Sequence, residues 1–93
     1  MARSLQLLLY DYVPDIVERR IPHREAHLAL VRRWHEAGRL VMAGALGDPP
    51  QGAAFAFSVA EAEEIVAFCA EDPYVVHGLV TDRRVQPWSV VVP

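Results

Sequence analysis

The chain has 93 residues, which is enough for one domain, because single domains usually contain about 100–150 residues. Its formal net charge of −3 argues against a general binder of nucleic acid or of anionic membranes. Its basic side chains are all arginine, and the absence of lysine excludes Schiff-base chemistry and a lysine general base. The single Cys69 excludes an internal disulfide and any zinc site built from several cysteines.

The distribution of apolar residues predicts where the protein resides and how it assembles. No apolar run approaches the ~18 residues of a membrane span, and the first residues lack the pattern of a secretory signal, so we expect a cytoplasmic protein with no membrane partner. Hydrophobic residues nevertheless make up 53% of the chain. A chain of this size buries only roughly 60–65% of its unfolded surface. We therefore expect a second copy to cover part of the apolar surface, as a homodimer or higher homo-oligomer.

The first half of the chain predicts a strand followed by a helix. The apolar segment 5–12 is typical of a largely buried strand, and Pro14 ends it. A single helical turn fits residues 15–19. The main helix is predicted from Pro22, in its first turn, to Ala37, with Gly38 as the stop signal. At about 100° per residue its apolar face contains His23, Ala26, His27, Leu30, Val31, Trp34 and Ala37.

A β-hairpin and a second helix are predicted next. Residues 39–46 and 53–59 have strand character and are joined by the turn-rich loop 47–52. Gly44 within the first of these strands indicates a bulge or the close approach of a ligand. Ser58 and Glu61 have the spacing of a capping box, which predicts a helix from there to about Ala70. The apolar positions of that helix are Ala62, Ile65, Val66 and Cys69.

The C-terminal segment predicts a short turn and a last strand. The pair Asp72-Pro73 begins a turn or short helix that runs to His77. Residues 79–88 form the fourth strand, in which Pro87 belongs at a sheet edge or a bulge. The order strand, helix, strand, strand, helix, strand, with right-handed crossovers, predicts a ferredoxin-like βαββαβ fold of the α+β class in one domain over residues 1–93.

His27 and Asp72 are the residues with the clearest chemical potential. His27 lies in the middle of the helix's apolar face, where it is either a general acid/base or a core histidine bonded to backbone or water. Asp72 before a proline is typical of a helix N-cap. It can also fix the tautomer of a histidine, and the two roles are compatible because a carboxylate has two oxygens.

Other candidate groups favour structural roles. His23 and His27 stand four residues apart on a helix, but position 31 is valine and no third ligand is evident, so we expect no metal site. Arg19 and Arg20 are interpreted as a solvated basic edge that pairs with neighbouring glutamates. Arg24 is either part of that edge or a clamp for a substrate carboxylate. Packing in the core or in a dimer interface is favoured for Trp34, Tyr74 and Trp88.

Four short motifs occur in order along nearly the whole chain. They are Arg24-x-x-His27-Leu28, Gly38-Arg39-Leu40 leading to Ala43-Gly44-Ala45-Leu46, Asp72-Pro73-Tyr74, and Val85-x-Pro87-Trp88. Together they resemble the YCII-related (YciI-like) domain family. The resemblance implies a ferredoxin-like fold that dimerises as an α+β barrel by packing its sheet faces, similar to the muconolactone isomerase group. One member of the family is a dehydrochlorinase of chlorinated aromatic degradation, whereas most members have no established reaction.

The resemblance also implies a site and a chemistry. It maps the family's proposed active histidine and aspartate onto His27 and Asp72, and Arg24 and Tyr74 belong to the same motifs. We therefore expect a small enzyme, with no cofactor or metal, in which His27 and Asp72 transfer protons and Arg24 and Tyr74 bind substrate. The expected reaction is an isomerisation or an elimination, such as loss of chloride, on a small cyclic or aromatic-derived organic acid. The alternatives are a non-catalytic binding or accessory module and an oxygenase-like, quinone-forming enzyme on the same barrel.

Overall fold

The computed structural model describes residues 3–92. This part of the chain forms four strands, four α-helices and one 3₁₀ turn. In chain order these are β1 (Arg3–Tyr12), α1 (Ile16–Arg19), the 3₁₀ turn (Ile21–His23), α2 (Arg24–Glu36), β2 (Leu40–Leu46), β3 (Gly52–Phe57), α3 (Ala62–Glu71), α4 (Pro73–Val76) and β4 (Val80–Val90). The strands form one antiparallel sheet in the order β2-β3-β1-β4. This is the strand order of the ferredoxin-like fold, so the predicted fold class is confirmed.

An aromatic cluster holds the two longer helices on one face of the sheet. Trp34 of α2 and Phe68 of α3 meet edge to face with their ring centroids 5.3 Å apart. Phe57 of β3 contacts both, at 5.8 Å from Trp34 and 5.2 Å from Phe68. Edge-to-face pairs of this kind add to the free energy gained by burying the rings. The core therefore lies between the sheet and the helices, and it leaves the opposite sheet face uncovered within one chain.

Helix α2 begins two residues later than predicted. Pro22 lies in the 3₁₀ turn that precedes it, and the α-helical hydrogen bonding starts at Arg24. Its buried residues are His27, Leu30 and Trp34. Ala26 and Ala37, which belong to the predicted apolar face, are exposed. The buried stripe is therefore narrower than the predicted apolar face.

The predicted capping box at Ser58 and Glu61 is wrong. Helix α3 begins at Ala62, and its N-cap Glu61 makes no side-chain capping hydrogen bond. The Ser58 hydroxyl instead donates to the carbonyl oxygen of Gly38 at 2.6 Å, and its backbone N–H donates to that of Arg39 at 2.9 Å. Ser58 lies too far before the helix to cap it, and it ties the end of β3 to the start of β2.

Three further expectations from the sequence concern Pro87, Gly44 and the apolar positions of α3. Pro87 lies in β4, an edge strand, as predicted. The register irregularity of β2 falls between Leu40 and Met42, so of the two alternatives for Gly44, a bulge or the close approach of a ligand, the bulge is not found there. In α3 the predicted apolar residue Val66 is 62% exposed, and Phe68 is buried in addition to Ile65 and Cys69.

The uncovered face of the sheet is apolar. Met42, Leu46 and Trp88 are exposed there by 62%, 45% and 40%. They surround a shallow depression of about 420 Å³ whose floor includes Ala54 and Ala56 of β3. Within residues 3–92 no helix is long and apolar enough to cross a membrane.

Candidate functional site

Asp72 joins two helices and is completely buried. It ends α3 and begins α4, with an extended backbone (φ −70°, ψ 118°) that suits a residue preceding proline. Its Oδ1 accepts a hydrogen bond from the backbone N–H of Tyr74 at 3.0 Å. The predicted N-cap is therefore present, and it holds the carboxylate in one orientation.

The same carboxylate is the centre of a buried hydrogen-bond network. Oδ1 also lies 2.8 Å from Nδ1 of His27, and Oδ2 accepts a hydrogen bond of 2.7 Å from the Tyr10 hydroxyl. One oxygen thus serves both the cap and the imidazole, whereas the expectation from sequence divided these roles between the two oxygens. Three donors converge on a carboxylate with no exposure to solvent, which offsets the cost of burying its charge.

The partner of Nδ1 defines which nitrogen of His27 is available for chemistry. An ionised carboxylate only accepts, so Nδ1 carries the hydrogen in this contact and the neutral ring keeps its lone pair on Nε2. Within residues 3–92 Nε2 has no hydrogen-bond partner, and the His27 side chain lines a cavity. The arrangement is suited to accepting a proton from a molecule in that cavity.

The plane of the His27 ring is held by stacking. The Tyr74 ring lies parallel to it, with centroids 3.8 Å apart and 3° between the planes. Phe55 of β3 approaches from another side with its centroid 6.4 Å away. Since the stack and the bond to Asp72 act in different directions, together they fix both the position and the rotation of the imidazole.

The cavity has a volume of about 220 Å³ and lies between the end of β1, the residue that follows α1, helices α2 and α4, and strands β2 and β3. Its lining residues are Tyr12, Arg20, Arg24, His27, Leu28, Val31, Ala43, Gly44, Ala45, Ala53, Phe55 and Tyr74. The walls are mostly apolar, with two guanidiniums among them. Gly44 therefore lines the cavity, in keeping with the expected approach of a ligand.

The structure separates the arginines that the sequence grouped together. Arg19 pairs with Asp15 at 3.8 Å and is about half exposed. Arg20, interpreted from sequence as part of the same solvated edge, lines the cavity together with Arg24. The interpretation of Arg20 is wrong because Arg19 and Arg20 are consecutive residues at the end of α1, and successive helical side chains point about 100° apart.

Two contacts in this region could not be predicted from the sequence. Tyr10 is the third donor to Asp72, and its only signal in the sequence is a tyrosine at a buried strand position, whose hydroxyl must find a partner. His23 does not join His27, because its ring stacks on that of His77 with centroids 3.9 Å apart. Among the described residues no group of three or more His, Cys, Asp or Glu side chains is arranged to hold a metal ion.

The three tyrosines of the site are expected to make the folded protein less stable at high pH. Burial raises the pKa of all three tyrosines, Tyr10, Tyr12 and Tyr74, and the Asp72 carboxylate raises that of Tyr10 further. Above pH about 10 the unfolded chain releases phenolic protons that the folded chain retains, so the stabilisation present below that pH is lost as the pH rises. We expect the unfolding free energy to fall by about 1.4 kcal/mol per pH unit for each of Tyr10 and Tyr12, over the pH range in which only the unfolded chain ionises.

Absorbance at 295 nm and circular dichroism recorded in one alkaline titration test this expectation. Tyrosinate absorbance should appear only as the fold is lost, and Tyr10→Phe should make the loss of stability less steep. Tyrosinate absorbance that develops near pH 10 in a protein with unchanged circular dichroism would contradict it.

Comparisons with known proteins identify relatives over most of the chain. The YCII-related domain matches residues 5–89. An uncharacterized protein of Haemophilus influenzae is 35% identical over 88 residues, which cover 85% of this chain and 90% of that protein. Protein YciI of Escherichia coli O6:H1 and that of Shigella flexneri are each 36% identical over 86 residues, covering 83% of this chain and 88% of theirs.

A solved structure has the same fold. It is the 5-chloro-2-hydroxyhydroquinone dehydrochlorinase TftG from Burkholderia phenoliruptrix AC1100, in complex with 2,5-dihydroxybenzoquinone. It superposes with a TM-score of 0.76 and 22% sequence identity, over 90% of this chain and 92% of that one. At this identity the likeness establishes the fold. The domain match over residues 5–89 and the relatives of 35% and 36% identity show that the chain belongs to the YCII-related domain family.

Proposed function

We propose that this protein is an enzyme that transfers protons, with His27 as general acid/base and Asp72 as the residue that orients and stabilises its ring. The observation that supports the proposal is the 2.8 Å hydrogen bond between His27 Nδ1 and Asp72 Oδ1, in a histidine that lines a cavity. A histidine held in this way by a carboxylate is suited to take up and return one proton per turnover.

The proposed chemistry balances without any further reactant. Nε2 of His27 accepts a proton from a hydroxyl group or from a carbon next to a carbonyl, and the Asp72 carboxylate stabilises the resulting imidazolium while remaining ionised. In an isomerisation, His27 returns the proton at another position of the substrate. In an elimination, the electron pair left behind expels an anion such as chloride, and the substrate loses one proton and one chloride.

The cavity limits the substrate class. At about 220 Å³ it is smaller than the roughly 300–1,000 Å³ of pockets for drug-sized ligands, so it suits a molecule with a single ring. We assign the anionic group of that molecule to Arg24 and the packing of its ring to Tyr74. The dehydrochlorinase with the same fold makes chlorinated hydroxyhydroquinones the first candidates, and we expect the reaction to need no metal or cofactor.

A turnover screen tests this proposal. The wild-type protein is incubated with chlorinated hydroxyhydroquinones and with unsaturated lactones, and chloride release and the absorbance of the quinone or isomer are measured, with and without a chelator. We expect turnover that the chelator leaves unchanged. Saturable binding of 2,5-dihydroxybenzoquinone without turnover of any compound would instead support a non-catalytic binding module.

We further propose that two copies of the chain pair through the uncovered sheet face and that the protein acts in the cytoplasm. The exposed Met42, Leu46 and Trp88 support the pairing, because contiguous apolar surface of this kind is seldom left in water. Trp88→Glu is expected to convert the dimer into monomers, which sedimentation equilibrium measures. The exposed Val66→Glu on α3 is the control and should leave the mass unchanged. A monomeric wild-type protein would contradict the proposal.

A further inference from the structure

Two guanidiniums of the cavity have no carboxylate partner. Within residues 3–92, the arginines that form ion pairs are Arg19, Arg33 and Arg39, with oxygens of Asp15, Glu71 and Glu64. Neither Arg20 nor Arg24 lies within 4.0 Å of a carboxylate oxygen, although both line the cavity. Two unpaired positive charges at one end of an otherwise apolar cavity favour an anionic occupant.

A buried hydroxyl lies at the same end. Tyr74 is 1% exposed, and within the described part of the chain its hydroxyl has no well-aligned hydrogen-bond partner, although the Arg24 side chain lies close enough to donate to its oxygen. Buried polar atoms are nearly always paired, and the hydroxyl hydrogen of Tyr74 has no acceptor among the described residues, so it is free to donate to an anionic ligand. Arg24 and Arg20 line the same cavity as Tyr74, and both act against the rise that burial imposes on the pKa of its hydroxyl.

The N-terminal end of helix α2 adds a partial positive charge beside Arg24. Helix α2, which has 13 residues, begins at Arg24, and its N-cap His23 makes no side-chain capping hydrogen bond. The N-terminal end of a helix carries a partial positive charge and stabilises an anion placed beside it. The helix end, the two guanidiniums and the hydroxyl therefore all favour the same sign of charge.

We propose that Arg20, Arg24 and the Tyr74 hydroxyl form an anion subsite that binds a carboxylate or ring oxyanion of the substrate. This inference rests on the proposed function and deepens it by setting the orientation of the substrate. The Tyr74 ring lies against His27 at 3.8 Å while its hydroxyl faces the guanidiniums. The subsite therefore adjoins the ring that stacks on the imidazole. The substrate class that fits is a single-ring anion that places its charged oxygen at the guanidiniums and its reacting hydrogen at Nε2 of His27.

Binding of benzoate and benzamide tests the subsite without any need for turnover. The two molecules have the same ring and nearly the same shape, and only benzoate is charged. Titrations followed by NMR of the labelled protein are expected to give a dissociation constant at least about tenfold lower for benzoate than for benzamide, because charge-assisted hydrogen bonds are the stronger ones.

Matched variants identify the residues responsible. Arg20→Gln and Arg24→Gln are each expected to weaken benzoate binding by at least about tenfold, and Tyr74→Phe by about three- to tenfold, since it deletes only the hydroxyl and keeps the stack on His27. Arg19→Gln removes the same charge from the neighbouring position and should change binding by less than about twofold, because Arg19 pairs with Asp15. Arg20→Lys keeps the charge and should bind benzoate more tightly than Arg20→Gln.

The outcomes separate this inference from the proposed function. Equal binding of benzoate and benzamide, no saturable binding of benzoate, or equal losses in Arg19→Gln and Arg20→Gln would each overturn the subsite. His27→Gln should retain benzoate binding, since the imidazole lies outside the subsite. If turnover depends on His27 but benzoate binding does not depend on Arg20, the subsite is wrong and the proton-transfer proposal stands. If benzoate binding depends on Arg20 but no compound is turned over, the subsite stands and the proton-transfer proposal is wrong.

Discussion

Replacing His27 by glutamine is expected to lower kcat by about 10²–10⁴-fold, which is the usual contribution of a general acid/base. The glutamine amide nitrogen lies one bond further from the backbone than the Nδ1 that is 2.8 Å from Asp72 Oδ1, so the side chain must shift to donate to this oxygen. It cannot accept and release a proton near neutral pH. KM should change little, because the group that we propose to hold the substrate anion lies elsewhere, and the unfolding free energy should fall by no more than about 2 kcal/mol.

His35→Gln is the matched control for this prediction. His35 lies on the same helix and has a structural role, since its Nδ1 is 2.8 Å from the carbonyl oxygen of Leu40 and it does not line the cavity. Steady-state kinetics of both variants, with circular dichroism to verify the fold, decide the question. Equal kcat values for wild type, His27→Gln and His35→Gln would show that His27 takes no part in the chemistry.

Asp72→Ala is expected to lower the unfolding free energy by about 3–5 kcal/mol, because it leaves three buried donors without an acceptor at about 1–3 kcal/mol each and removes a helix cap. The donors are the His27 ring, the Tyr10 hydroxyl and the Tyr74 backbone N–H. This is a large part of the 5–15 kcal/mol that stabilises a typical domain. Urea denaturation at low temperature measures it. Asp48→Ala, at an exposed loop position, is the control and should change stability by less than about 0.5 kcal/mol.

Asp72→Asn separates the structural role of Asp72 from the chemical one. The asparagine carbonyl can still accept from Tyr74 and His27, and the Tyr10 hydroxyl can rotate to accept from the new amide. We therefore expect most of the stability to remain while kcat falls by about 10²-fold or more, since the charge that stabilises the imidazolium is lost. Nitrogen chemical shifts of His27 report its tautomer in both proteins. An unchanged kcat in Asp72→Asn would show that Asp72 has only a structural role, as a helix cap.

The elements that the sequence predicts well are those with strong local signals. The helix over residues 24–36, the hairpin and the edge position of Pro87 follow from apolar periodicity, turn residues and the missing N–H of proline. The capping box at Ser58 fails for an instructive reason. A serine three residues before a glutamate matches the spacing, but a nearby strand offered the hydroxyl a better acceptor, at Gly38.

Some features of the candidate site could be predicted from neighbouring residues in the sequence, whereas others depend on contacts between distant residues. Asp72-Pro73 shows its capping role locally, and the apolar face of α2 indicates that His27 points toward the sheet. The bond between them joins residues 45 positions apart, and that of Tyr10 to Asp72 spans 62 positions. No pattern of neighbouring residues encodes such distances, so the network around Asp72 emerges only when β1, α2 and α4 pack together.

By itself, then, the sequence determined the order of the elements, the ferredoxin-like fold, the family, and the two polar residues that the apolar core must accommodate. The tertiary structure alone decided that one Asp72 oxygen serves both the cap and the imidazole, that Tyr74 stacks on His27, and that Arg20 faces the cavity while Arg19 faces solvent. The physical reason is that periodicity and capping act within a few residues of the chain. The direction of a particular side chain instead depends on which distant element supplies its partner.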